Sequence, residues 1–325
     1  MSNGKPTRRQ ILQAVAAGAT ALGLAGLVGA QAGLRTPPAP DRARRSVRFA
    51  VLSDIHVQDQ LRAPAGMAAA FEHANSLKDR PEFIMLGGDS INGGMAARRP
   101  SADQMFGFLR NALANHNRLP IEPMLGNHDV WGWNKEASGA TGDEAEFGKR
   151  WAMDVLGMDK PYRFFDRGPW RFFVLDSTFP QGNGYIARVD DEQMEWFEHH
   201  LRRTPFNRHV VVCTHMPIVS VGALVVENPD PTNGFAIPAF IQMTNGPRFF
   251  ELFKARPNVK LCLSGHTHLY DRADYNGVAY VGCGAVCGAW WRGARDRTEP
   301  GYTVFDLYDD GNFDVRYVPW GWKPE

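Results

Sequence analysis

The sequence predicts an α/β protein in which two packed mixed β-sheets are flanked by helices. Three observations carry that expectation. Over the first half, short apolar β-rich runs alternate with segments of helical periodicity, the pattern of parallel strands joined by crossover helices. Beyond Tyr270 the runs are joined by tight turn sequences, the pattern of antiparallel hairpins. Five runs also end in short polar motifs, as expected where strands deliver side chains to one edge of a sheet.

Taken in order, residues 47–53, 83–87 and 121–125 read as strands, with helices over 65–79 and 102–118 between them. Residues 163–166 and 170–175 form a hairpin across Arg167-Gly168-Pro169. Residues 190–203 read as a helix, acidic in its first turn and carrying Arg202 and Arg203 in its last, which suits the helix dipole. Strands come next at 209–213 and 259–263. Asn276-Gly277 joins 273–275 to 278–282, a strong hairpin signal, and 302–308 pairs with 313–318 across Asp309-Asp310-Gly311-Asn312. Residues 216–246 are rich in Pro, Asn and Gly without clear periodicity; a long irregular loop inside a compact domain is usually functional. Lying directly after His215, it is placed to act as a substrate lid. No internal repeat or linker interrupts residues 46–325, which read as one domain.

The amino-terminal segment is a separate object. Thr7-Arg8-Arg9-Gln10-Ile11-Leu12 is a twin-arginine pattern, followed by an Ala/Gly-rich apolar stretch and Ala30-Gln31-Ala32, small residues where a signal peptidase reads. Residues 1–32 are therefore expected to be a cleaved twin-arginine signal, and 33–45 a flexible leader. The competing expectation is a retained anchor, because residues 11–30 are about long enough to span a bilayer. Cleavage would remove Lys5, Arg8 and Arg9 and no acid, taking the net charge from +1 to −2. The expected location is periplasmic or secreted, reached through the twin-arginine export machinery. That route carries folded proteins, so metals can be loaded where their supply is controlled.

The chain is 44% hydrophobic with nearly balanced charge, which suits a large core and gives no broad footprint for nucleic acid or anionic lipid. Any attraction for an anionic small substrate must be local. The four cysteines fit no zinc pattern. Cys213 and Cys262 lie in apolar runs; Cys283 and Cys287 could pair in an oxidising compartment or stay free and buried.

The motifs are Asp54-Ile55-His56, Gly88-Asp89, Gly126-Asn127-His128-Asp129, Thr214-His215 and Gly265-His266-Thr267-His268. Their donors are carboxylate and amide oxygens and imidazole nitrogens, which suit divalent ions about 3.5–4 Å apart. Asp89 stands alone behind a glycine that lets the backbone approach closely, and its two oxygens can bridge two ions. Asp54 and His56 leave one strand end together; Asn127, His215 and His266 come from three others, and His268 lies two residues after His266. Each motif alone is weak, but the ordered set is specific.

In that order the motifs resemble the calcineurin-like metallophosphoesterase superfamily, over essentially all of residues 46–325. The resemblance implies a four-layer αββα sandwich and two divalent ions, manganese, iron or zinc. It implies that Asp54, His56 and His268 hold the first ion, and that Asn127, His215 and His266 hold the second. Asp89 and a shared hydroxide would bridge them. It further implies that His128 faces the substrate and serves the leaving oxygen, and that Asp129 orients His128. Asn92 stands where purple acid phosphatases carry the tyrosine that binds ferric iron, so that centre is not expected. The motif set also matches class III cyclic-nucleotide phosphodiesterases without fixing a substrate.

The leading expectation is a phosphoesterase acting on diesters or monoesters of small molecules. A non-catalytic scaffold on the same fold would lack His128, and a nuclease would carry a basic groove. His73, His116, His199, His200 and His209 have no motif context and read as surface or core residues. Trp290 and Trp291 could line a pocket or pack a C-terminal hairpin.

Overall fold

The computed structural model describes residues 43–226, 229–230 and 234–324. The expected signal (1–32) and most of the expected leader (33–45) lie outside the described residues. Fifteen strands are described: β1 (Arg45–Leu52), β2 (Phe83–Gly87), β3 (Ile121–Met124), β4 (Arg163–Arg167), β5 (Trp170–Leu175), β6 (Thr178–Gln181), β7 (Gly184–Ala187), β8 (His209–Thr214), β9 (Pro229–Asp230), β10 (Gly234–Phe235), β11 (Val259–Ser264), β12 (Tyr270–Tyr275), β13 (Val278–Cys283), β14 (Gly301–Tyr308) and β15 (Phe313–Pro319). The helices are α1 (Ala63–Asn75), α2 (Arg99–Asn115), α3 (Lys135–Ser138), α4 (Arg150–Leu156), α5 (Asp191–Arg203), α6 (Ala223–Val226) and α7 (Gly246–Lys254). None of the described helices is long and apolar enough to cross a membrane.

Two mixed sheets carry the architecture. The first has the order β15-β14-β1-β2-β3, parallel from β1 to β3 and antiparallel from β1 to β15. The second has the order β12-β13-β11-β8-β5-β4, with four parallel strands inside two antiparallel edges. Alternation along β1 explains how the sheets stack. Val47, Phe49 and Val51 point into the layer between the sheets, while Ala50 and Leu52 point the other way, towards α1 and α2. Phe49 stacks on Phe83 and Phe305 at 5.1 and 5.0 Å and meets Phe172 of the second sheet edge-on at 5.3 Å. Burying one such ring contributes about 1.5–3 kcal/mol. On the far side of the second sheet, Phe173, Val210 and Val212 pack against Phe197 of α5 and Phe249 of α7. The layers are therefore helix, sheet, sheet, helix, the expected αββα sandwich.

Several boundaries differ from expectation for local reasons. β1 begins at Arg45, inside the expected leader, and Arg45 pairs with Asp79. α1 spans 63–75 rather than 65–79: Pro64 sits in its first turn, and the Ser76 N–H and hydroxyl close its end on His73 O. α2 begins three residues early at Arg99, where Pro100 favours a helix start, and ends at Asn115. α5 begins after Asp190, whose carboxylate accepts from Gln193 N–H at 2.8 Å. Both expected hairpins after Tyr270 form, but in different sheets. β12–β13 ends the second sheet, with Asn276 and Gly277 at φ 52° and 80°, whereas β14–β15 returns to pair with β1 in the first.

Candidate metal centre

All five motifs sit just beyond the carboxyl ends of parallel strands, after β1, β2, β3, β8 and β11. Short backbone links bind their loops to one another. Asp54 N–H donates to Gly88 O at 3.0 Å, His56 N–H to Asp89 O at 2.9 Å, and Gly265 N–H to His215 O at 3.0 Å. Asp54, His56, Asp89, His266 and His268 all have φ between 47° and 69°, a left-handed conformation that costs non-glycine residues energy and clusters at functional sites. A β-carbon on Gly126 would collide with Asp89, and one on Gly88, itself at φ 90°, would reach His215 Nδ1 at 2.6 Å. The motif glycines are thus required by close approach.

The side chains converge in two groups. His56 Nε2 and His268 Nε2 lie 3.0 Å apart, with Asp54 Oδ1 at 3.4 Å from His268 Nε2 and 3.9 Å from His56 Nε2. His215 and His266 face each other with ring centroids 5.2 Å apart. Asp89 Oδ2 stands between the groups, 3.6 Å from His56 Nε2 and 3.1 Å from His215 Nε2. Backbone carbonyls fix the imidazoles: His215 Nδ1 donates to Gly87 O at 2.8 Å and His268 Nδ1 to Gly288 O at 2.7 Å, so each turns Nε2 inward. His266 Nε2 donates to Phe240 O at 2.9 Å, leaving Nδ1 for the cluster. Asn127 Oδ1 is buried without a hydrogen-bond partner, an arrangement that is costly unless a cation takes the oxygen. The donor set and this orphaned amide oxygen fit two metal ions.

Charge in the cluster is set by burial and proximity. Burial pushes His56, His266 and His268 down to about 3, so they are neutral lone-pair donors at ordinary pH. His215 is opposed by the same burial, yet the Asp89 and Asp54 carboxylates raise it to about 10. Asp89 is pushed up by burial but held well below the usual carboxylate range by His215, His128 and His56. A cation held by the second group would offer Asp89 the positive partner that protonated His215 Nε2 provides at 3.1 Å.

The structure brings together all nine residues singled out from the sequence. Seven are buried, and His128 and His266 are half-buried at the opening. One role needs correction. Asp129 does not orient His128; its carboxylate accepts from the N–H groups of Asp89, Ser90, Ile91 and Gly126 at 2.8–3.2 Å and braces the β2 loop. The His128 ring is held by Gly93 N–H, which donates to Nδ1 at 2.7 Å. Burial and the Asp89 carboxylate push Asp129 up to about 7 despite those backbone donors. The four cysteines are free and buried. Cys287, whose Sγ lies 3.9 Å from His268 Nδ1, packs behind the first group, a placement its sequence context did not signal.

Trp290 and Trp291 divide the two expectations held for them. Trp291 is core, with Nε1 donating to His56 O at 3.0 Å. Half-buried Trp290 lies against His268 at 4.5 Å between centroids and near His56 at 6.0 Å.

Fold and cluster together define an αββα protein with a buried carboxylate–imidazole site suited to two metal ions. Residues 47–270 match the calcineurin-like phosphoesterase family, and the chain belongs to that family. It is similar to a 3′,5′-cyclic-nucleotide phosphodiesterase of Nostoc sp., 26% identical over 51% of this chain and 59% of that protein. It is 27% identical to the serine/threonine-protein phosphatase CPPED1 of Danio rerio, over 67% of this chain and 63% of that one. The matches thus span about six tenths of each of these relatives. A glycerophosphodiester phosphodiesterase of Enterobacter lignolyticus is 24% identical over 70% of this chain and 73% of its own length. A dimetal phosphatase from Danio rerio shares the fold, with a TM-score of 0.55 at 14% identity, covering 86% of this chain and 98% of that one.

Proposed function

We propose that this chain is a phosphoesterase using two divalent ions, manganese, iron or zinc, to hydrolyse diesters or monoesters of small phosphorylated molecules after twin-arginine export. The observation that carries the reading is Asp89 Oδ2 poised between two buried donor groups, with His128 half-exposed beside them. Asp54, His56 and His268 would hold one ion, Asn127, His215 and His266 the other, and Asp89 both. When bound, such a pair supplies Lewis acidity and a water acidified towards neutral pH.

The protein's own groups do the rest. Because His128 Nδ1 accepts from Gly93 N–H, the neutral ring carries its proton on Nε2. His128 can then donate to a leaving oxygen, a contribution of typically 10²–10⁴-fold. Burial excludes water from the donors behind it and strengthens every interaction there. The names of the relatives, two phosphodiesterases and a phosphatase, support ester hydrolysis at phosphorus and leave both ester classes in play. Export is supported by Arg8-Arg9 and the Ala30-Gln31-Ala32 site.

Turnover of bis-p-nitrophenyl phosphate beside p-nitrophenyl phosphate by the manganese-loaded protein tests the reading. Metal-dependent release from either ester is expected, and their ratio separates diesterase from phosphatase. No release from either with two ions bound would overturn it. Export is tested separately: replacing Arg8 and Arg9 by Lys should leave the protein in the cytoplasm, and unchanged export would exclude that route.

A further inference from the structure

The turn that carries Trp290 is fastened to the metal-centre loops on several sides. Val286 N–H donates to Ser53 O at 2.9 Å, Cys287 N–H to Asp54 O at 3.3 Å, and Gly288 O accepts from His268 Nδ1. Trp291 N–H closes on Cys287 O at 2.7 Å and Ala289 N–H on Gly293 O at 2.9 Å. Nearer β14, Arg295 and Thr298 exchange backbone hydrogen bonds at 2.9 Å, and Tyr270 N–H donates to Thr298 Oγ1. Trp290 and Trp291 take left-handed φ of 47° and 67° within this turn, a strained geometry that the surrounding bonds enforce.

The enforced geometry places a cation. The Arg295 guanidinium lies over the Trp290 ring at 5.0 Å from its centroid, and the same ring lies against His268. Arg295 is half-buried, and among the described residues its guanidinium makes no ion pair and no hydrogen bond. Other arginines of the chain behave differently: Arg45, Arg48, Arg163 and Arg171 each hold a carboxylate. A guanidinium stacked on an aromatic ring keeps its planar fork of donors available and loses little freedom when that fork is used. Its charge is felt at His268, where it opposes protonation.

We infer that Arg295, positioned by Trp290, is a specificity-determining residue that binds a second anionic group, carboxylate or phosphate, on the substrate beside its scissile phosphate. The inference rests on the phosphoesterase reading for the word substrate, while the anion subsite stands on the His268–Trp290–Arg295 stack. It narrows the substrate class to phosphoesters with two separated anionic groups. Arg295 would take the second group bidentately, and Trp290 would set its distance from the metal centre.

Calorimetric binding to the manganese-loaded protein tests this with matched pairs of two lengths: 3-phosphoglycerate against glycerol 3-phosphate, and 6-phosphogluconate against glucitol 6-phosphate. The carboxylate-bearing member of at least one pair is expected to bind about 10-fold more tightly, the scale of a charge-assisted bidentate contact. Arg295→Gln should reduce that ratio to about 2-fold or less, Arg295→Lys should retain part of it, and Trp290→Ala should lower it by misplacing the guanidinium. The ratio within a pair cancels general damage to the metal centre. No preference in the unaltered protein, or a preference that survives Arg295→Gln, would overturn the inference. A preference without turnover of either bis-p-nitrophenyl phosphate or p-nitrophenyl phosphate would remove the phosphoesterase reading and leave the subsite; turnover without preference would do the reverse.

Discussion

The floor of the centre and its rim are built on different principles. The floor, formed by the loops after β1, β2 and β3, is cross-linked by backbone bonds and by the Asp129 carboxylate, which accepts from four N–H groups. The rim includes residues 216–226 and 234–246, which reach the centre through Phe240 O on His266 and expose Val221, Val225 and Phe240. Asp54, His56, Asp89 and Asn127 are thus carried on loops tied to one another by hydrogen bonds. His128 shares that floor, whereas Phe240 and Trp290 sit on longer loops, where sequence can vary without disturbing the donors.

Four substitutions or conditions sharpen the contrast. The largest effect is expected from His128→Ala, which should lower kcat about 10²–10⁴-fold with both ions retained; loss of metal from a folded variant would make His128 a residue that holds the ions instead. Next comes Asp129→Ala, which strips acceptors from four buried donors worth roughly 1–3 kcal/mol each. A net loss on the order of 3–5 kcal/mol in denaturant unfolding is expected after water recovers part of it, and a loss under about 1 kcal/mol would mean the floor is not braced there.

The pH response of the metal-free protein is third. His56, His266 and His268 sit at about 3 in the folded state against 6.5 unfolded, so the unfolded chain binds more protons below 6.5. Their contribution is present above 6.5 and is lost as pH falls towards 3, by up to about 1.4 kcal/mol per histidine per pH unit. Asp129 runs the other way, losing stability as pH rises from 3.8 to about 7, and His215 loses its contribution only as pH rises from 6.5 to about 10. Three groups oppose one between pH 4 and 6, so the unfolding midpoint in chelator should fall on acidification. A flat midpoint would show that the imidazoles are not buried neutral. The smallest effect is expected at the rim: Phe240→Ala should change stability by less than about 1 kcal/mol and shift KM more than kcat.

The floor is legible in the sequence because periodicity and chemistry coincide there. Strands of four to eight residues end in donors, and parallel strands deliver the residues just past their carboxyl ends to one edge of the sheet. The helix α7 escapes such a reading although Asn245-Gly246-Pro247 is a start signal, because the irregular stretch before it hides the change of pattern. Short elements such as α3, α4 and the β6–β7 hairpin carry too few residues to show a period. The roles of Asp129 and Trp290 depend on which loops meet. A carboxylate next to a histidine in sequence reads as its partner, and only the fold shows three N–H groups of the β2 loop and one of the β3 loop claiming it. Trp290 meets His268 across a turn whose left-handed residues carry no local signature.

The proposed centre needs two ions together, with Asp89 shared between them. Titrating the metal-free protein with manganese while monitoring bis-p-nitrophenyl phosphate turnover and bound metal per chain tests it most directly. Turnover is expected to rise with the second equivalent and level off at two. Turnover that saturates at one equivalent per chain would contradict it.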